Sequence, residues 1–362
     1  MTSESQQPQQ PEATGPNGNR KPLLSVRNLK MHFPVVKGLM RRTVGYTKAV
    51  DDVSFDVYPG ETYGLVGESG CGKTSIGRCI TRILEPTAGT ILYDQGDGRP
   101  VDIANLRNRD MRPYRSELRM IFQDPFSSLN PRLPVLEIIG EVLKVNGMAD
   151  GAELEARVRD MLRKVGLRAE YLRRYPHAFS GGERQRIGVA RALASNPKLV
   201  VCDEAVSALD VSIQAQTINL LQDLQDEFDL TYVFVAHDLS VVEHISDRIG
   251  VMYVGKLVET GTVDDVFSRP RHPYTEALLS AVPKADPALR DAGKRIRLPG
   301  EVADPSDPPP GCYFHPRCAY AKERCRTEEP QMREIAPGHS AKCHFAHELD
   351  LKGVVAAETA SR

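Results

Sequence analysis

The sequence predicts an α/β fold built on a parallel sheet that is covered on both faces. Three observations carry that prediction. Nearly continuous apolar runs recur at Tyr63-Gly64-Leu65-Val66, at Leu199-Val200-Val201-Cys202 and at Thr231-Tyr232-Val233-Phe234-Val235-Ala236, the pattern of strands buried on both faces. A helix read from Ile213 to Phe228 lies between the last two, where a crossover between parallel strands belongs. Finally, Gly67-Glu68-Ser69-Gly70-Cys71-Gly72-Lys73-Thr74 is a complete G-x-x-x-x-G-K-[ST] loop, entered from a strand and left through a helix beginning near Ser75.

That loop names the chemistry. Glycines let backbone N–H groups curl around phosphates, and the following helix N-terminus adds partial positive charge. Lys73 can reach the β- and γ-phosphates of a nucleoside triphosphate, and the Thr74 hydroxyl can ligate Mg²⁺. A chance glycine-rich turn does not explain eight positions in order between strand and helix. The fold class is therefore that of the P-loop NTPases.

The elements follow in order. Residues 1–22 are rich in Gln, Pro, Ser, Gly and Asn and are expected to be a disordered tail. Strand-like alternation begins at Leu23-Leu24-Ser25-Val26 and resumes from Ala49 to Val57, forming an N-terminal antiparallel β-subdomain. Between them, Lys37 to Thr47 reads as a basic, Gly-containing loop, a solvated hairpin. Strands are expected at Gly89–Tyr93 and Leu118–Phe122. From Leu133 to Leu172 apolar residues fall at helical spacing (Val135, Ile138, Ile139, Val142, then Leu154, Val158, Met161), an inserted helical subdomain of about 124–190. The nucleotide-binding part spans 23–270. A Pro-rich and Cys-rich extension covers 271–350, and 351–362 reads as a flexible tail.

Composition excludes several classes. With 41% apolar and 26% charged residues the chain suits a globular protein. Its formal net charge of −1 and complete lack of Trp argue against a nucleic-acid partner. No apolar run approaches bilayer length and no apolar signal core opens the chain, so a membrane role has to come through partner proteins.

Two more clusters belong with the phosphate loop. Leu199-Val200-Val201-Cys202-Asp203-Glu204 is an apolar strand ending in two carboxylates. Asp203 is placed to hold the Mg²⁺ shell and Glu204 to orient or deprotonate the attacking water. His237 follows the Thr231–Ala236 strand, where a γ-phosphate sensor would sit. Further, Phe179-Ser180-Gly181-Gly182-Glu183 precedes a helix from Arg184 to Ala194, and its small residues suit a second anion site. One chain cannot easily fold both loops onto one triphosphate, so this loop is expected to serve ATP held by another subunit.

At this point the chain resembles the ATP-binding cassette family, from roughly Leu23 to Phe267. The motif order is specific: phosphate loop, Ile121-Phe122-Gln123-Asp124-Pro125, Phe179-Ser180-Gly181-Gly182-Glu183, Asp203-Glu204, Ser207-Ala208-Leu209-Asp210, then His237. The resemblance implies that Gln123 contacts Mg²⁺ and the water and couples the site to the helical subdomain. It implies that Asp210 faces a partner cassette and that Ser180, Gly181, Gly182 and Glu183 contact nucleotide. Phe33 looks like the aromatic that stacks on adenine, with Tyr46 as a second candidate. Three departures stand out: Glu183 where many members have Gln, Phe179 where many have Leu, and Ala205 in place of a frequent Pro, which is expected to loosen the backbone behind Glu204.

The extension sharpens the resemblance. Arg271-His272-Pro273-Tyr274-Thr275-Glu276-Ala277-Leu278-Leu279, followed by Leu298-Pro299-Gly300-Glu301-Val302, is similar to the C-terminal part of the oligopeptide, dipeptide and nickel importer branch. Cys312, Cys318, Cys325 and Cys343 are spaced C-x₅-C-x₆-C-x₁₇-C, unlike zinc ribbons or ferredoxin runs. Four thiols in so small a segment suggest a metal staple. Members of this branch can carry a [4Fe–4S] cluster on such a quartet. Structural zinc, with His315, His339, His344 or His347 as substitute ligands, is the alternative, and four unbound thiols the plain one. Cys71 reads as a small filler within the phosphate loop.

The resemblance implies an ATPase that powers an importer, for di- or oligopeptides in the first instance, with nickel, glutathione or sugars as alternatives. Its implied partners are a non-identical sibling ATPase, two permease subunits and an extracytoplasmic binding protein, which would hold it at the cytoplasmic face of the cell membrane. The rival is a non-transport cassette ATPase of translation or DNA repair. Translation members usually carry two cassettes in one chain, and repair members separate the phosphate loop from the signature by a long coiled coil. Neither feature is present here.

Overall fold

In the computed structural model, residues 20–38, 42–124, 128–207, 209–282 and 295–354 are described. Most of the expected N-terminal tail, Pro125, Ala208 and the end of the expected C-terminal tail lie outside these residues.

Two sheets organise the molecule. The first is antiparallel, in the order β2-β1-β4-β5, from β1 (Leu24–Lys37), β2 (Arg42–Val57), β4 (Ala88–Tyr93) and β5 (Val101–Asp102). The expected solvated hairpin at Lys37 to Thr47 pairs back on β1 as a ladder: Val36 pairs with Thr43 and Lys37 with Arg42. Its basic side chains look to water while the backbone continues the strands, because an exposed ladder needs no apolar pattern.

The second sheet holds β3 (Thr62–Val66), β6 (Leu118–Ile121), β7 (Leu199–Asp203), β8 (Thr231–Val235), β9 (Arg248–Tyr253), β10 (Lys256–Thr262), β11 (Arg333–Ala336) and β12 (His339–Ala341). Its order is β11-β12-β10-β9-β3-β8-β7-β6. The run β9-β3-β8-β7-β6 is parallel. Every residue of β3, β7 and β8 is buried, which is why these strands read as unbroken apolar runs. A side chain such as Phe234, fully buried, contributes roughly 1.5–3 kcal/mol by leaving water. Parallel strands put all their C-terminal ends on one edge, and ligands of open α/β sheets bind at that edge.

Helix α1 (Lys73–Ile80) leaves the phosphate loop, and the short α2 (Tyr114–Glu117) leads into β6. The helical subdomain contains α3 (Val135–Val145) and α4 (Gly151–Lys164), then 3₁₀ turns at Ala169–Arg173 and Pro176–Ala178, then α5 (Gly181–Leu193). The Asp150 side chain accepts from Gly151 N at the start of α4. Helix α5 runs three residues past the expected boundary at 190, since Ala190, Ala192 and Leu193 are buried in the core. Helix α6 (Val211–Phe228) is the crossover between β7 and β8, and α7 (Leu239–Ile245) follows β8.

The C-terminal extension contains α8 (Val263–Ser268) at its approach, α9 (Pro273–Leu279) and α10 (Glu323–Thr327). It does not stand apart. Strand β12 pairs with β10 through Glu259↔Ala341 and Thr260↔Ser340, so the extension adds two strands to the central sheet. Glu259, fully buried, accepts from Arg271 N, His272 N and His339 Nε2 at 2.7, 2.9 and 2.8 Å. A segment too small for its own core has borrowed one: Phe314 packs edge-on to Tyr253 and Tyr274. The chain from Leu351 is not free either. Leu351 is buried, Lys352 N donates to Glu276, and Val354 N donates to Phe267 O. This corrects the expected start of the tail at 351: one apolar side chain and two backbone bonds keep 351–354 on the core.

Candidate functional site

The phosphate loop lies between β3 and α1, and its shape depends on two glycines that sequence alone marks only as permissive. Gly67 (φ +151) and Gly72 (φ +105) have no room for a side chain: a Cβ would lie 2.2 Å from Met252 O and 1.9 Å from Ala49 O, respectively. The loop is thus pressed against β9 and β2. Lys73, 4% exposed, donates from Nζ to Gly67 O at 2.8 Å and Glu68 O at 3.1 Å. Burial raises the Cys71 thiol above its ordinary pKa, so it stays protonated and fills space.

Both carboxylates arrive at the end of β7. Thr74 Oγ1 donates to Asp203 Oδ1 at 2.7 Å, joining the expected Mg²⁺ ligands before any cation is considered. Burial pushes Asp203 above the usual carboxylate range, and the Thr74 bond opposes that shift. Glu204 has φ +47, in the left-handed region that costs a non-glycine residue about 1–2 kcal/mol. Its backbone is held there: Glu204 N donates to Val235 O at 2.9 Å, and Ser207 returns two bonds to Glu204 O. Three hydrogen bonds thus hold the turn in front of Ala205. Gln123 Nε2 donates to Glu204 Oε2 at 2.7 Å, and His237 Nδ1 lies 3.4 Å from the same oxygen. Two residues, from the ends of β6 and β8, meet on the Glu204 carboxylate.

Ser180 is the N-cap of α5. Its hydroxyl accepts from Glu183 N, and the Glu183 carboxylate accepts from Ser180 N at 2.9 Å, a reciprocal capping box. Glu and Gln serve equally in that box, which accounts for the Glu at this position. Gly182 faces α6, where a Cβ would lie 2.8 Å from Ile213 Cγ2. Phe179 is 5% exposed and edge-on to Tyr171, a core residue of the helical subdomain. Asp210 sits at the start of α6 with its side chain uncommitted to the cap. Phe33 and Tyr46 occupy adjacent strands. Phe33 packs against the apolar core of the β-subdomain, while Tyr46 is 54% exposed.

Tyr274 and Arg317 join the phosphate loop without having been read as site residues. Glu68 N donates to Tyr274 Oη at 2.9 Å, and Arg317 donates to the Glu68 carboxylate through Nη1 at 2.9 Å and Nη2 at 3.3 Å. The His272-Pro273-Tyr274 segment carried a signal through its resemblance. His272, whose pKa burial lowers to about 3, caps α9 through Nδ1 and so orients Tyr274. Arg317 carried none beyond its place between two cysteines.

All four extension cysteines line one cavity, together with His272, His315 and Phe314 among others. Burial raises Cys312 to about 12 and Cys318 and Cys343 to about 11. Among the described residues, no group of three or more His, Cys, Asp or Glu closes around a point that could hold a metal ion. The substitute histidines are engaged or remote. His339 is on Glu259, His344 Nε2 is 2.9 Å from Glu328 O, His315 Nδ1 is 3.0 Å from Cys312 O, and His347 is exposed.

Comparison with known proteins agrees with this geometry. The ABC transporter family model matches residues 50–207, and the model of the oligopeptide/dipeptide transporter C-terminal region matches 258–325. The chain is 50% identical over 328 residues to the oligopeptide transport ATP-binding protein AppF of Bacillus subtilis, covering 90% of this chain and 98% of that protein. It is 48% identical to the putative oligopeptide transport ATP-binding protein YkfD of the same organism, covering 92% and 98%. Among solved structures it resembles the post-hydrolysis dimer of the ATP-binding cassette MJ0796 bound to ADP and Pi. The TM-score there is 0.58 with 25% identity, over 66% of this chain and 98% of that one. This chain belongs to the ATP-binding subunits of the ABC transporter family, in the branch that carries the oligopeptide/dipeptide transporter C-terminal region.

Proposed function

We propose that the chain binds Mg-ATP in the loop from Gly67 to Thr74 and hydrolyses it to power import of oligopeptides through a pair of membrane permeases. The observation that carries the reading is the convergence of Gln123 and His237 on the Glu204 carboxylate, beside the Thr74–Asp203 pair. Lys73 and the loop N–H groups hold the β- and γ-phosphates. Thr74, Asp203 and Gln123 would hold Mg²⁺, which would neutralise charge on the phosphates. The cation would offset the burial that now disfavours a charged Asp203. Glu204 takes the proton of the water that attacks the γ-phosphorus as the bond to the bridging β–γ oxygen breaks. His237 touches the γ-phosphate, and Gln123 orients the same water.

Ser180, Gly181, Gly182, Glu183 and Asp210 serve nucleotide across a face shared with a second cassette, a non-identical sibling. The dimeric state of the cassette with ADP and Pi supports this pairing. Residues 23–270 are the ATP-binding unit, 124–190 its helical insertion and 271–350 the importer-type extension.

Permease docking falls to a cleft of about 850 Å³ between β6 and α3, which includes Arg82, Arg119, Arg191, Phe122 and Val142. Burial holds the guanidinium pKa of Arg119 and Arg191 below the ordinary value, and Arg119 Nε is buried without a partner. Such a lining favours an acidic or carbonyl-rich permease segment. Phe122 lines this cleft and Gln123 follows it in the chain, so movement of the cleft reaches Glu204. Among the described residues no helix is long and apolar enough to cross a membrane, so the proposed place at the cytoplasmic face depends on that docking. The oligopeptide names of the relatives support the substrate class. Reconstitution in liposomes tests the whole reading: peptide uptake should require ATP, this chain, its sibling, both permeases and the binding protein. Uptake that persists without this chain would move the coupling role elsewhere.

Tyr46 is the adenine platform in this reading, since its ring is 54% exposed while Phe33 is half-buried against the core of the β-subdomain. Stacking on a base contributes about 1–3 kcal/mol. Tyr46→Ala should therefore raise the ATP dissociation constant by roughly 5–150-fold. Phe33→Ala should lower the melting temperature and leave the affinity of the folded protein unchanged. Equilibrium binding alongside thermal melts separates the two, and the reverse pattern would return the role to Phe33.

For the cysteines we favour a [4Fe–4S] cluster held by Cys312, Cys318, Cys325 and Cys343. Four thiols around one cavity support it. In a cube each thiolate takes its own iron, so the sulfurs need not gather around one point as tetrahedral zinc demands. When bound, the cluster would act as a staple for the extension.

A further inference from the structure

The geometry points to Arg317 as a positioning residue for ATP binding, acting on the phosphate loop through Glu68 from within the cysteine-rich extension. This inference rests on the ATP-binding role proposed for that loop. Four observations carry it. The Arg317 side chain is 9% exposed and Glu68 30%, so water screens the pair only in part. The contact is bidentate, at 2.9 and 3.3 Å, and spans 249 positions of sequence. Glu68 is anchored a second time, its N–H donating to Tyr274 Oη. Finally, Arg317 is itself fixed: its guanidinium lies 5.9 Å from the Tyr253 ring centre, and Tyr253 packs on Tyr274 and Phe314.

Two physical effects follow. Gly67, Gly70 and Gly72 all have positive φ, so this loop carries unusual backbone freedom that nucleotide binding must remove. A clamp at Glu68 removes part of it beforehand, and preorganisation appears as affinity. The second effect is charge. Glu68 places a carboxylate inside a loop built to receive a triphosphate, and Arg317 neutralises it at short range. Without the guanidinium, that carboxylate would face the phosphates unpaired. Neither effect touches Glu204, Gln123 or His237, so the consequence belongs to binding rather than to the chemical step.

The test is a double-mutant cycle on the full chain, read by equilibrium Mg-ATP binding and steady-state hydrolysis. Arg317→Ala should raise the ATP dissociation constant and KM about tenfold, a change of about 1.4 kcal/mol, with kcat within about twofold. Arg317→Lys keeps the charge but loses the bidentate fork, and should recover part of the affinity. In a Glu68→Gln background the same Arg317→Ala change should matter much less, because the unpaired carboxylate is gone. An equal loss in both backgrounds, or no loss in either, would overturn the inference. A lowered kcat at unchanged KM would do the same. If Arg317→Ala fails to fold, the comparison of Arg317→Lys with and without Glu68→Gln decides, since both keep a cation in place. Lys73→Ala is the control on the underlying reading: wild type that fails to bind ATP would remove the site itself, whereas binding lost with Lys73→Ala but kept with Arg317→Ala would remove only Arg317.

Discussion

Glu204→Gln is expected to leave ATP binding intact and to cut hydrolysis by about 10²–10⁴-fold, the usual cost of losing a positioned base. The replacement keeps the shape of the side chain and removes only its ability to accept a proton. The amide oxygen can still accept from Gln123 Nε2, which now donates to Oε2 at 2.7 Å. The backbone should not move, since its bonds to Val235 O and from Ser207 involve no side-chain atom of Glu204. Binding is carried by other residues, Lys73 and the loop N–H groups, so the variant should hold ATP between closed cassettes without turning it over. Phosphate release gives the rate, and size-exclusion chromatography with the sibling subunit and ATP gives the closed dimer. A variant that hydrolyses ATP at the wild-type rate would take the role away from Glu204. Lys73→Ala should do the opposite and abolish binding, because the buried ammonium is placed inside the loop by two of its carbonyls.

The second large effect concerns the extension. Protein purified without oxygen should be brown and contain iron and labile sulfide, and replacing Cys318 and Cys325 together by Ser should remove all three signs. These two thiols come from separate turns: Cys318 ends the 3₁₀ turn His315–Arg317 and Cys325 lies within α10. Losing both therefore unstaples two segments at once. Backbone hydrogen exchange should then rise across β11 and β12, since β12 joins β10 through a short ladder and β11 pairs only with β12. Zinc found in the wild type in place of iron would keep the staple and discard the cluster. Protein free of any metal, with β11 and β12 equally protected in both forms, would discard both.

Much of the ATP site was legible because its chemistry is local in sequence. A phosphate loop needs consecutive residues to wrap one anion, so Gly67 to Thr74 must be contiguous. A carboxylate at the end of a buried strand is equally visible, since β7 is apolar throughout until Asp203. The apolar runs gave away the parallel core strands for the same reason: burial on both faces leaves no alternation to confuse. The Lys37–Thr47 segment reads as a solvated hairpin, but its register is not legible in the sequence, because an exposed ladder has no hydrophobic period and only the pairing across the turn fixes it.

What remained hidden in the sequence are contacts between distant segments. Nothing near Gln123 or His237 says that both reach the same oxygen of Glu204; that follows from β6 and β8 flanking β7 in parallel with their ends aligned. Nothing near Arg317 says that it grips Glu68, because the extension had to add β12 to β10 and seat Phe314 against Tyr253 first. The proposal of Tyr46 over Phe33 likewise rests on exposure, which depends on what packs over a strand and not on the strand's own residues. The sequence by itself determined the family and marked out the proposed nucleotide loop and reacting groups, since those rest on short motifs whose residues lie within a few positions. The tertiary structure alone decided which side chains meet at the Glu204 carboxylate, which of the two aromatic rings is the more exposed and which distant residues touch Glu68. Each of these depends on which faces the packed core brings within hydrogen-bond or van der Waals distance, and a linear pattern does not encode that distance.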